Sequence, residues 1–396
     1  MMEKNMESYV VKLRRELHEN PEIGYDLPRT LAILRRELDE IGVEYTEKYG
    51  KSSIVATVNP EKTNFTIGVR ADIDALPIFE KTDVPFKSKI DGRMHACGHD
   101  SHTAMAMNAL RKIYAMRDEV NCRVKFIFQA SEEAPPSGAK LLVSDGVMDD
   151  IDCIIGQHVE ITEPSGVIDV PADDVTAIST SFNLKFYGVQ NHALRQHKAV
   201  DAIMMAINAY NSIEMMLSKN IDGREVLVFN VGKIRGGEAR NIVAAECEME
   251  CTLRTLSDEM AEIAVRRIKE ICDATASAWG GRFEYIEKTY YPKIVNDKII
   301  ADRVYAAAVA VLGEENVTYT SKPDKEKNLG GEDFSYYLFK KPGCMFHTGI
   351  RNEEKGCIYG GHTDMYKVDE DVLEPASKVI VRFILDNMDG IEGLKA

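Results

Sequence analysis

Val10, Leu13 and Leu17 recur at helical spacing, and so do Leu31, Leu34, Leu38 and Ile41, so the first ~40 residues are expected to form two helices. The turn-rich run Asn20-Pro21-Glu22-Ile23-Gly24 separates them. Strand-like apolar runs follow at 53–58 and 65–69. A helical pattern then covers 101–116, followed by a strand at 124–129, a short helix near 139–144 and a strand at 153–156. Strands alternating with helices predict an α/β sandwich with a largely parallel sheet.

From about residue 178 the pattern changes. Phe182, Leu184 and Phe186 alternate with Asn183 and Lys185, as in a strand buried on one face. Val200, Ile203, Ile207 and Tyr210 form a helical stripe, and 225–231 reads as a strand. The clearest alternation is Cys247, Met249, Cys251 and Leu253 against Glu246, Glu248, Glu250, Thr252 and Arg254. A helix at 258–276 and a strand at 282–286 follow. The order β-α-β-β-α-β is that of a ferredoxin-like unit. After Pro292 a helix at 299–312, a strand at 344–348 and a helix at 372–385 restore the first pattern. The expected architecture is therefore an α/β/α domain of residues 1–177 and 292–396, interrupted by a ferredoxin-like domain at 178–291. A cleft between them is the default place for a small-molecule site. The most loop-like stretch, 320–331, is charged and ends in two glycines.

Composition narrows the partners. The 396 residues hold 49 Lys and Arg against 64 Asp and Glu, a formal charge of −15. Nucleic acid and anionic membrane both need concentrated positive charge and are excluded as main partners. Apolar runs such as 306–312 fall short of the ~18 residues that a membrane span requires. Met1-Met2-Glu3-Lys4-Asn5 leads into charged sequence without an apolar signal segment, so a cytoplasmic location is expected. The 8 cysteines form no Cys-x-x-Cys pair, and most are expected to be buried and reduced.

One cysteine departs from that expectation. Cys97 lies in His95-Ala96-Cys97-Gly98-His99-Asp100-Ser101-His102. If the segment is extended, Cys97 and His99 point the same way, and Asp100-Ser101 is expected to cap the following helix. Other polar groups follow predicted strands: Arg70 to Pro77, Glu132-Glu133, and His158. Strand carboxyl ends of a parallel sheet share a ligand-binding rim, so these groups are expected to converge. Thiolate, imidazole and carboxylate together suit zinc, and manganese or nickel also accept them. Adjacent glutamates in extended chain point to opposite sides, which would let one bind metal while the other serves as a base. Asp74 is placed to orient a ligand.

These motifs resemble those of the M20 metallopeptidase clan. The nearest subgroup is the amidohydrolases that include hippurate hydrolases, N-acyl-amino-acid deacylases, indole-acetyl-amino-acid hydrolases and N-acetyldiaminopimelate deacetylases. The resemblance runs through 14–24, 70–77, 94–102, Phe128-Gln129-Ala130-Ser131-Glu132-Glu133, Gly156-Gln157-His158, Gly331-Glu332-Asp333-Phe334 and His362. It implies two divalent metal ions (Zn, Mn or Ni) held by Cys97, His99, Glu133, His158 and His362, with Cys97 bridging. Glu132 matches the general base that acts on a metal-activated water. His347 is the rival to His362. His18, His95 and His102 are read as supporting or packing residues. The insert resembles a lid that also forms a homodimer interface. In it His192 matches an oxyanion-stabilising histidine, and Asn241 and Arg254 match substrate-binding residues. The usual glycine before the lid histidine is Asn191 here, and His197 stands where a proline is usual. The implied reaction is hydrolysis of an N-acyl-amino acid. A dipeptidase or other exopeptidase using the same site is the alternative, and a non-catalytic binding protein with a structural metal is the alternative of another class.

Overall fold

The computed structural model describes residues 8–172, 175–320 and 329–394. The amino-terminal stretch 1–5 and most of the loop at 320–331 lie outside the described residues. The chain divides into a larger unit (1–175, 294–325 and 333–396) and a smaller one (176–293 and 326–332).

The larger unit is built on an eight-stranded sheet. Its strands run in the order Glu44–Thr46, Ile54–Val58, Arg123–Gln129, Thr66–Asp72, Cys153–Pro164, Gly343–Arg351, Ile168–Pro171, Val317–Thr320. The four from Arg123–Gln129 to Gly343–Arg351 are mutually parallel. Every residue of Thr66–Asp72 is buried, which is why this strand reads as a continuous run rather than an alternation. Successive residues serve opposite faces. Ile54, Ala56, Phe126 and Phe128 join a core with the helices Tyr9–Glu19, His99–Ala115 and Leu373–Asn387. Val55, Ile127 and Ile154 join a second core with Ala139 and Leu142 of the helix Gly138–Ser144. Helices therefore cover both faces, giving three layers. Asp297 caps the helix Lys298–Leu312 by accepting from the Ile299 and Ile300 N–H groups.

The smaller unit has a four-stranded antiparallel sheet in the order Arg282–Tyr291, Ile178–Tyr187, Glu246–Thr255, Leu227–Gly236. The buried Cys247, Met249, Cys251 and Leu253 face the helices Ala202–Asn220 and Asp258–Trp279, and the intervening residues are more exposed. Asp201 and Ser257 cap these two helices. Among the described residues no helix is long and apolar enough to cross a membrane.

A candidate metal centre at the strand ends

Strand Thr66–Asp72 delivers Asp72 and then Asp74, and strand Arg123–Gln129 delivers Glu132 and Glu133. His158 lies in Cys153–Pro164, beyond the stretch paired with Thr66–Asp72. Cys97 and His99 arrive from the start of the helix His99–Ala115. The donor atoms of Cys97, His99 and His158 lie within 4.8 Å of one another, as do those of Cys97, Glu133 and His362, and those of His99, Glu132 and Glu133. Cys97 is common to two of these triplets. The Cys97 Sγ to His158 Nε2 distance is 3.5 Å, and His362 Nε2 lies 3.2 Å from Glu133 Oε1.

Local backbone explains how the donors are aimed. Gly98 has φ 90 and caps the helix, so His99 is its first residue rather than part of an extended segment. A Cβ at Gly98 would lie 2.3 Å from Val159 Cγ2. The expected cap from Asp100-Ser101 is not formed; Asp100 instead pairs with Arg14 at 2.8 Å and His18 at 2.7 Å in a buried cluster. Nor do the adjacent glutamates face opposite sides. Ser131 takes φ 56, and 132–136 bends. The Asp74 carboxylate accepts the N–H groups of both Glu132 and Glu133, at 3.1 and 3.2 Å. Both carboxylates consequently face His99 Nε2, at 4.0 and 3.8 Å. His362 is also a non-glycine residue at positive φ (63), an uncommon conformation in which strain concentrates at functional positions.

The histidines separate by what their ring nitrogens do. His99 Nδ1 donates to the Asp74 carbonyl at 2.9 Å, and its buried Nε2 has no hydrogen-bond partner. His158 Nδ1 donates to the Val159 carbonyl at 2.6 Å, which turns Nε2 toward Cys97. His102 has both nitrogens committed, Nδ1 to Asp72 at 2.6 Å and Nε2 to the Val159 N–H at 2.9 Å. His347 faces Asp169 at 3.8 Å and joins no donor group among the described residues. His95 is buried with neither ring nitrogen bonded.

Charge in the cluster is unbalanced. Burial opposes a proton on His99, yet Asp72, Asp74 and Glu133 raise it to about 10. Burial, reinforced by Glu133, Glu132 and Asp72, pushes the Cys97 thiol well above its ordinary range. Burial also lowers His158 to about 4, leaving the neutral imidazole that ligation requires. A sulfur, imidazole nitrogens, one of them buried without a hydrogen-bond partner, and several carboxylates converge here, so the residues fit divalent metal, whose binding would displace the His99 proton.

In the smaller unit, His192 and Asn241 are neighbours. The strand Asn191–His192 pairs with Ile242–Val243, and the Ala193 N–H donates to the Asn241 carbonyl at 2.9 Å. Both side chains are exposed. Arg254 is elsewhere. It sits near the far end of Glu246–Thr255, opposite Ser179, whereas Glu246 lies opposite Tyr187 at the end near His192. Eight strand steps separate Glu246 from Arg254, about 27 Å at ~3.4 Å per residue. The half-buried Arg254 guanidinium donates to the Leu329 carbonyl at 3.4 Å and pairs with no carboxylate among the described residues.

Residues 68–386 match peptidase family M20/M25/M40. The chain is 33% identical over 374 residues to thermostable carboxypeptidase 2 of Saccharolobus solfataricus, covering 94% of this chain and 93% of that one. It is 33% identical to N-acetyldiaminopimelate deacetylase of Ligilactobacillus salivarius, covering 97% and 98%. A crystal structure of a dinuclear metal binding peptidase of the M20 family from Bacillus subtilis superposes with a TM-score of 0.76 at 27% identity, covering 95% of this chain and 97% of that one. With the match covering residues 68–386, most of the chain and part of each outer segment, this chain belongs to peptidase family M20/M25/M40.

Proposed function

We propose that this hydrolase cleaves the amide bond of N-acyl-amino acids, with two divalent metal ions held by Cys97, His99, Glu133, His158 and His362. The observation that carries this reading is the overlap of the donor triplets at Cys97. His99 and His158 would hold one cation and Glu133 and His362 the other, with the Cys97 thiolate within reach of both groups. When bound, such cations supply Lewis acidity toward a carbonyl and lower the pKa of water. The chain's own residues handle the protons. The Glu132 carboxylate lies 4.0 Å from His99 Nε2, beside the donor cluster, so it can take a proton from water and return it to the departing amine. Asp74 fixes Glu132, Glu133 and His99 together.

The insert at 178–291 is proposed as lid and homodimer face. Met204, Ile207 and Met215 on the helix Ala202–Asn220, with Val228 and Ile234 on the edge strand Leu227–Gly236, are exposed apolar side chains. The distance between His192 and Arg254 supports the dimer. One copy cannot bring both ends of this unit to one small substrate, so a second copy would supply His192 and Asn241. His192 would stabilise the oxyanion, Asn241 would contact substrate, and Arg254, lacking a carboxylate partner, would hold that of the amino acid. A cytoplasmic location stays part of this proposal.

The test is a hydrolysis screen of N-acetyl-, N-benzoyl-, indole-acetyl- and diaminopimelate-type amides with added Mn, Zn or Ni. Peptides with a free carboxyl terminus and unblocked dipeptides run alongside, because the resemblance to a carboxypeptidase makes exopeptidase action the second reading. Glu132→Gln is expected to retain metal and lose about 10²–10⁴-fold in rate. Near-normal turnover in that variant rejects Glu132 as the base.

A further inference from the structure

The buried residues behind the metal cluster form a continuous hydrogen-bonded chain. Asp333 accepts from Ser137 Oγ at 2.7 Å, from the Ala139 N–H at 3.1 Å and from Arg70 Nη2 at 2.8 Å. Arg70 Nη1 donates to Asp72 Oδ2 at 2.7 Å. Asp72 Oδ1 accepts from His102 Nδ1, and His102 Nε2 accepts the Val159 N–H. Arg70, Asp72, His102 and Asp333 are each at most 3% exposed. The chain ends on the peptide that carries His158, whose ring packs on that of His102 at 4.5 Å between centroids.

We infer that His102, oriented by Asp72, is a positioning residue that sets where the His158 donor nitrogen lies. The tautomer is decisive. Asp72 can only accept, so the His102 proton sits on Nδ1 and the lone pair on Nε2 is left for the Val159 amide. That bond fixes the 158–159 peptide and hence the direction in which the His158 side chain leaves the strand. The His158 Nδ1 bond to the next carbonyl then sets the ring rotation. The same Val159 side chain lies against the Gly98 backbone between Cys97 and His99, so one residue registers two of the donor-bearing segments. Outer partners of this kind typically alter metal affinity by about 10–100-fold.

The inference rests on His158 and Cys97 being metal donors. Its test is Co²⁺ titration of the full-length, chelator-treated protein, read by affinity and by the thiolate-to-cobalt absorption band. His102→Leu removes both hydrogen bonds at similar volume. It is expected to weaken Co²⁺ binding about 10–100-fold and shift the band. His102→Gln, whose amide can again donate to Asp72 and accept from Val159, is expected to restore both. General destabilisation alone would not give rescue together with a recovered spectrum. Wild-type affinity and band in His102→Leu would overturn the inference, as would a folded His102→Gln no better than Leu. A measurement without variants also decides: ¹⁵N-histidine spectra of the wild type should show His102 protonated on Nδ1, and an Nε2–H tautomer would overturn it. Wild type that takes up no Co²⁺ would overturn the metal reading together with this one. Wild type that takes it up and is matched by His102→Leu would overturn this one alone.

Discussion

Gly98 separates two proposed metal donors, and Gly98→Ala is expected to be far more damaging than adding one methyl group suggests. Two costs combine. The backbone sits at φ 90, which an alanine reaches at about 1–3 kcal/mol. The new Cβ would also fall 2.3 Å from Val159 Cγ2 and 2.9 Å from Tyr366 Oη, in a neighbourhood that is already buried. Overpacking of that sort costs about 1–3 kcal/mol. The sum, about 2–6 kcal/mol, is a large share of the ~5–15 kcal/mol that holds a typical domain folded. Gly166 isolates the first cost, since its φ is 85 and a Cβ there would meet nothing within 4 Å. Urea denaturation of both variants, followed by a probe of the larger unit, should therefore show Gly98→Ala less stable than Gly166→Ala by about 1–3 kcal/mol. Placing Gly98→Ala in a Val159→Ala background should recover part of that difference, because the closest obstacle is gone. Equal losses at Gly98 and Gly166 would refute the packing argument.

Asp333→Ala should cost about 3–5 kcal/mol in chemical denaturation, since it strips a buried Arg70 of one of its two carboxylates. Asp369 gives a pH signature. Burial opposes its ionisation, but Lys355, Ser165 and Asn352 hold its carboxyl below the usual range. A depressed folded-state pKa contributes stability above the unfolded value, near ~3.9, and loses it as pH falls through the folded value. The stability gap between wild type and Asp369→Asn should thus be widest above about pH 5 and narrow steadily below pH ~4. Chelation should abolish hydrolysis while the far-ultraviolet circular dichroism stays native, because the cores of the larger unit close without the donor cluster. Unfolding on chelation would favour a structural metal.

The periodicities that carry the fold are strong where burial is two-sided or strictly alternating. Thr66–Asp72 and Cys247–Leu253 show why, since each side chain there has one destination. The strands Glu44–Thr46, Ile168–Pro171 and Val317–Thr320 escape sequence reading because three or four residues hold too little pattern. Much of the donor set is legible because parallel strands end on a common rim, so Glu132, Glu133 and His158 are drawn together whatever their separation in sequence. The turning of the glutamates is not legible. It depends on the left-handed Ser131 and on Asp74, whose carboxylate reaches amides almost sixty residues away.

The histidines show where residue type stops deciding and bonding begins to. His99, His102 and His158 are alike as letters, the first two buried and the third half-buried, and all lie near Asp72. What separates them is the second nitrogen. His99 and His158 each give one N–H to a main-chain carbonyl, which leaves the other nitrogen turned into the cluster, able to offer a lone pair once His99 gives up its second proton. His102 gives its proton to a carboxylate and its lone pair to an amide, so nothing remains for a metal. Proximity alone would admit His102, since its donor lies within 4.8 Å of those of Asp72 and His99. Hydrogen-bond capacity removes it, because a neutral imidazole has one donor and one acceptor and both are in use. The same accounting gives His102 a different part to play. A histidine with no nitrogen to spare, held by a carboxylate against the peptide of a proposed metal donor, is placed to act on where that neighbour points.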